Sequence, residues 1–123
     1  MEINKSMKKL LLAEEVFLFL SSIILFGLAV EYSWWFFALL FFLPDISFLG
    51  YLINTNTGAW FYNTLHHRGI MIAFTLAGYF LDVPILLAVG IIFFSHASFD
   101  RIFGYGLKYP DSFHHTHLGN IGK

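Results

Sequence analysis

Histidine and carboxylate recur at spacings that suit a metal ion. His96 and Asp100 stand four residues apart in Ser95-His96-Ala97-Ser98-Phe99-Asp100-Arg101, which puts both on one face of a helix. Asp45 follows Pro44, and His66 and His67 precede Arg68. Neutral imidazole and carboxylate together bind Zn, Mn or Fe. Asp45, His66 or His67, His96 and Asp100 would supply three or four ligands, leaving a position for water. A bound metal lowers the pKa of that water and makes it a hydrolytic nucleophile. Glu14 or Glu15 would then serve as general base or as an extra ligand. Arg68 and Arg101 are candidates for binding phosphate, which guanidinium does well. The chain has no cysteine, so thiolate metal sites, iron–sulfur clusters and disulfides are excluded. The ligand set has no H-E-x-x-H or E-x-x-H signature.

Two further points bear on the ligands. His66 and His67 are adjacent, about 100° apart on a helix, and cannot both point the same way. The tail "YGLKYPDSFHHTHLGNIGK" holds a second histidine group. Asp111 is a candidate cap at a turn or helix start. His117 joins the metal ligands if the tail folds over the site, whereas His114 and His115 read as solvated. The tail glycines imply specific turns rather than a long helix.

These groups must be held by apolar elements. The chain has 123 residues, 58% hydrophobic, 20% aromatic and 12% charged, with a mean hydropathy of +0.70. A soluble domain carries about 25% charged residues, and one this small has too much surface to hide so many Phe, Leu and Ile. The composition therefore predicts an all-α integral membrane protein, a single domain over residues 1–123. Spans of about 20 apolar residues fit at about 10–30, 34–53, 58–80 and 84–104. The short links "EYS", "NTNT" and "LDV" make neighbours antiparallel, giving a four-helix bundle with a tail over 105–123. The basic start of the first span resembles a signal peptide, but Glu14 and Glu15 interrupt it, so the expectation is an uncleaved span.

Lysine bias sets the orientation. Lys5, Lys8 and Lys9 precede the first span, Lys108 and Lys123 follow the fourth, and the opposite loops carry Glu31 and Asp82. Both termini are expected in the cytoplasm, in a multi-pass protein of the inner (cytoplasmic) membrane. Tyr32, Trp34 and Trp35 suit the outer interface, Trp60 and Tyr105 the inner one. The rise of 1.5 Å per residue places Asp45, His66 and His96 each about 12 Å deep from the cytoplasmic side. Asp or Arg at mid-span costs roughly 2.5–3.5 kcal/mol, so such groups face the bundle interior and pair, or line a wet cavity. Blander roles stay open. Arg68 and Arg101 can snorkel to headgroups, Glu14 and Glu15 can sit at a helix start, and Asp45 can cap a helix resuming at Ile46. His66 and His67 become interfacial if the third span starts at Ile70. The net charge of −1 and the lack of a basic stripe exclude a nucleic-acid partner.

"LPDISFLGYLINTNTGAWFYNTLHHRG", "SHASFDRIFGYGLKYPDSF" and "THLG" together resemble a small bacterial membrane family, domain of unknown function 4260, over nearly the whole chain. That resemblance implies an integral membrane protein and supplies no activity. A narrower similarity is to membrane-bound metal-dependent hydrolases of the inner-membrane YdjM type. It is carried by Leu43-Pro44-Asp45, His67-Arg68-Gly69, and Ser95-His96 with Asp100 and Gly104. In that family a T-H-S segment follows H-R-G. Here "IMIAF" follows Gly69, so one implied ligand is missing unless His66 or His117 replaces it.

The sequence thus supports a membrane-embedded metal-dependent hydrolase acting on a lipid or phosphoester. The alternatives are a non-catalytic accessory protein with internal ion pairs, such as Asp100 with Arg68, and a histidine-ligated iron or haem redox protein. A through-membrane proton or ion pathway ranks below these, because the outer half of the bundle carries no ionisable groups. With little mass outside the bilayer, association into a homo-oligomer is a further expectation.

Overall fold

The computed structural model describes residues 4–121; Gly122 and Lys123, the end of the basic tail, lie outside the described residues. Helix α1 (Lys5–Ala29) starts at Asn4, whose side chain accepts from the Met7 amide at 2.9 Å. Its 25 residues rise about 38 Å, enough to cross a hydrocarbon core of about 30 Å. Only Ser22 and Phe26 are buried on α1. Phe17, Ile24 and Leu28 are exposed, as on a lipid-facing helix.

Helix α2 (Trp34–Phe41) is capped by Ser33 and tightens into a 3₁₀ segment, Leu43–Leu52. Pro44 lies in the first turn of that segment, where its missing N–H costs nothing. The Asp45 amide bonds the Phe42 carbonyl at 3.2 Å. Helix α3 (Thr55–His66) begins at the Asn54 cap, α4 (Arg68–Phe80) follows, and α5 (Pro84–Ile102) opens with proline. Three stretches are long and apolar enough to cross a membrane: Lys5–Ala29, Trp34–Leu52 and Pro84–Ile102. The chain is a helical membrane protein by this measure.

The expected continuous span over 58–80 is corrected here. The chain breaks at His67, which is extended at φ −83°, ψ 113°. Its Nδ1 accepts from the Ile70 amide at 3.2 Å, so the histidine that ends α3 also caps α4. Of the two pieces, α4 is a shorter apolar helix, and α3 ("TNTGAWFYNTLH") is rich in polar residues. The simple bundle of four uninterrupted helices is thus replaced by five α-helices and a 3₁₀ segment.

Helix α5 is the centre of packing and touches α1, α2, α3 and α4. Phe26, Phe41, Met71, Ala88, Ile91, Ile92 and Phe93 form the core. Ser22 of α1 hydrogen-bonds Ser95 of α5 within it. Gly90 lets α4 and α5 approach at backbone distance: a Cβ there would lie 2.6 Å from the Thr75 nitrogen and 2.9 Å from the Met71 oxygen. Beyond α5 the tail turns at Gly104 (φ +83°). It forms a hairpin from β1 (His115–Thr116) and β2 (Gly119–Asn120), with Lys108 bridged to Thr116.

Candidate metal centre

The ends and turns of three elements meet at one point. Asp45 comes from the first turn of the 3₁₀ segment, His66 from the last position of α3, and His96 and Asp100 from successive turns of α5. His66 and His96 are buried, at 3% and 2% exposure. The Asp100 side chain is 15% exposed and that of Asp45 is 40% exposed, so Asp45 is the most open of the four.

One ligand atom from each residue lies within 4.8 Å of every other. His66 Nε2 is 3.6 Å from Asp45 Oδ1 and 3.4 Å from Asp100 Oδ2. His96 Nε2 is 3.2 Å from Asp45 Oδ1 and 3.3 Å from Asp100 Oδ2. A tetrahedron with metal–ligand bonds of about 2.0–2.2 Å has edges of about 3.3–3.6 Å. Three of the six edges of this cluster lie in that range and a fourth, His96–Asp45 at 3.2 Å, falls just short of it.

The hydrogen bonding is compatible with a metal at this point. His66 Nδ1 is 2.8 Å from the Tyr62 carbonyl. A carbonyl oxygen can only accept, so Nδ1 carries the proton and Nε2 of the neutral ring presents a lone pair. That lone pair faces two carboxylate oxygens and has no hydrogen-bond partner; His96 Nε2 and Nδ1 also have none. Buried polar atoms are normally satisfied. A metal ion between the nitrogens and the carboxylates would satisfy both Nε2 atoms, as would protonation of the imidazoles, which makes the same contacts ion pairs. A backbone carbonyl that fixes the outer imidazole nitrogen is the usual support of a metal-ligating histidine.

The remaining candidates lie elsewhere. His67 is exposed and uses Nδ1 to cap α4. Glu14 is exposed on α1. Glu15 Oε2 accepts from Arg68 Nη1 at 2.7 Å. Asp100 faces the two histidines, so the expected partnership of Asp100 with Arg68 is corrected: the Arg68 partner is Glu15. Arg101 is half-buried and has no carboxylate within ion-pairing distance among the described residues. His117 does not join the four-atom cluster. Its Nδ1 accepts from the Leu107 amide at 2.9 Å, and burial together with the positive charge of Arg101 holds it below its usual pKa. His115 pairs with Asp111 at 2.9 Å on the surface, so Asp111 holds an imidazole there.

Sequence reasoning missed Lys108. This tail residue is 4% exposed. Its ammonium lies over Phe113 at 3.1 Å, Tyr62 at 4.3 Å, Phe48 at 4.9 Å and Tyr51 at 5.5 Å from the ring centroids. Its backbone is clamped by Asn63, which donates to the Lys108 carbonyl at 2.8 Å and accepts from its amide at 2.7 Å. Burial lowers the amine to about 8, which leaves it a cation at neutral pH. The available signal was a lysine set among Tyr105, Tyr109 and Phe113 in the tail.

No curated protein and no solved structure matches the chain. These comparisons do not show the expected similarity to YdjM-type hydrolases. A family model does match residues 8–121, a stretch that holds all four clustered residues and the Lys108 seat. The chain belongs to the family described as domain of unknown function DUF4260.

Proposed function

We propose that this protein is a membrane-embedded divalent-metal hydrolase that acts on a lipid or other phosphoester. The observation that carries the metal reading is the unpartnered Nε2 pair of His66 and His96, set at tetrahedral-edge distances from Asp45 and Asp100. Imidazole and carboxylate without thiolate suit Zn, Mn or Fe. A metal held there would supply Lewis acidity and an activated water. Asp45, the most open ligand, lies on the side from which water or substrate would enter.

The hydrolytic half of the proposal rests on Arg101. It follows Asp100 directly and has no carboxylate partner among the described residues, so its guanidinium is free to bind phosphate. Arg68 is held by Glu15, which makes that pair a support of the site rather than its base. Placement in the cytoplasmic membrane, with the cluster toward the cytoplasm, follows from the lysines flanking α1 and α5. The Arg68–Glu15 pair also favours a second reading, a non-catalytic accessory protein whose charges are internal ion pairs.

Elemental analysis of detergent-purified protein separates the two. Near-stoichiometric zinc, manganese or iron, lost in a His96→Ala, Asp100→Ala double variant, supports the metal centre. No metal after reconstitution with each ion refutes it and leaves the ion-pair reading. Metal-loaded protein should also hydrolyse p-nitrophenyl phosphate or phospholipid in vesicles. Stoichiometric metal with no activity on either rejects the hydrolase half alone.

A further inference from the structure

Tyr62 links the metal centre to the tail. Its carbonyl takes the Nδ1 proton of His66, and its ring stacks on the His66 imidazole at 3.8 Å with planes 12° apart. One residue thereby sets both the tautomer and the plane of a candidate ligand. The same ring is one wall of the seat that holds the Lys108 ammonium. Phe48, whose ring stacks on Tyr62 at 5.7 Å and 14°, is another wall. Phe113 of the tail closes the seat and packs on Phe48 and Tyr51.

We propose that Lys108 is a positioning residue of the metal centre: its ammonium, seated among Phe48, Tyr51, Tyr62 and Phe113, fixes Tyr62 and through it His66. Three observations converge on this. Lys108 is buried although no carboxylate reaches it among the described residues, so the aromatic faces are its principal partners. A cation over an aromatic face is attracted by the ring quadrupole, more strongly where water is excluded. The two hydrogen bonds between the Asn63 side chain and the Lys108 backbone, one donated by each, anchor the lysine on α3, one residue from Tyr62, so the seat and His66 share one helix. The tail thus contributes to the site through Lys108, in place of the ligand role expected of His117.

The inference rests on the metal reading, and one set of variants tests the two separately. Lys108→Met keeps the aliphatic stem and removes the charge, Lys108→Arg restores a cation, and Phe113→Leu opens the seat without touching Tyr62. Two quantities are measured: the tautomer of His66 in metal-free protein, by two-bond proton–nitrogen NMR, and the affinity for Co(II), from its visible absorption. Wild type and Lys108→Arg should show the Nδ1–H tautomer of His66. Lys108→Met and Phe113→Leu should show a mixture and bind Co(II) about tenfold more weakly, the lower end of the range for groups that orient a ligand. Unchanged His66 tautomer and Co(II) affinity in both Lys108→Met and Phe113→Leu would overturn the Lys108 role while leaving the metal centre intact. Absence of Co(II) binding in the wild type would refute the metal reading, and the His66 spectrum would still decide the link to Lys108. Should Lys108→Met fail to fold, Phe113→Leu decides between the same two outcomes.

Discussion

His66 takes its tautomer from the backbone carbonyl of Tyr62, and the metal reading is tested most directly by changing the candidate ligands themselves. His66→Ala or His96→Ala should each lower metal affinity by more than the roughly 10–100-fold typical of losing a supporting group. Asp45→Asn should cost less than either, because Asp45 is the most exposed member and three ligands remain. His67→Asn, which keeps a capping side chain, should leave affinity at the wild-type level, since His67 is exposed and its nitrogen is used to cap α4. Isothermal titration with Zn(II) checks the series, and a large loss in His67→Asn would reverse the assignment of the two histidines. Asp45, His96 and Asp100 were legible in the sequence because ionisable groups within apolar runs must find one another. The choice between His66 and His67 was not legible, because it depends on where α3 stops. Lys108 was invisible for a different reason: one lysine in a polar tail reads as a surface charge until the aromatic rings that enclose it are in place.

The break at His67 positions the site, since a continuous helix would carry His66 on as an interior residue instead of placing it at a helix tip. Periodicity did not reveal it: "NTLHHRGIMIAF" contains no proline, and the stop depends on an imidazole acting as a cap. The pairing of α4 with α5 was legible from the short "LDV" link, but its closeness depends on Gly90. Gly90→Val should force the two backbones apart, lowering stability by at least about 2 kcal/mol, read as a lower Tm in detergent. A smaller change would mean that α4 shifts without strain. The tail has its own pH dependence. His117 has a folded-state pKa below its ordinary 6.5, so the unfolded tail takes up a proton first. Docking is therefore at full strength above about pH 6.5 and weakens as pH falls below that value. Its Nδ1 must also stay unprotonated to accept from Leu107. Limited proteolysis of the tail should accelerate between pH 7.5 and 5, after correction for protease activity, and His117→Gln should flatten that response.

Three span-length stretches and a broken fourth leave the path of the chain across the bilayer as a question of parity. Three crossings would put the termini on opposite sides; four would put them on the same side. Helix α4 has 13 residues and rises only about 20 Å, short of a hydrocarbon core of about 30 Å. Yet it packs along α5, and the α4–α5 turn allows only an antiparallel return. Most of the missing depth then falls to α3 and the His67 junction, where the backbone leaves the helix. Such a break is tolerated at membrane depth where protein covers it or a wet cavity meets it, and the candidate metal centre lies beside this one. We therefore expect α3 and α4 together to act as one crossing, giving four. The chain has no cysteine, so single Lys5→Cys, Asp82→Cys and Asn120→Cys variants carry one thiol each at exposed positions. In right-side-out vesicles a membrane-impermeant maleimide should label Asp82→Cys alone, and disruption of the vesicles should expose the other two. Labelling that separates Lys5→Cys from Asn120→Cys would mean three crossings, with α3 and α4 lying against one face of the membrane and the cluster of Asp45, His66, His96 and Asp100 opening at that surface.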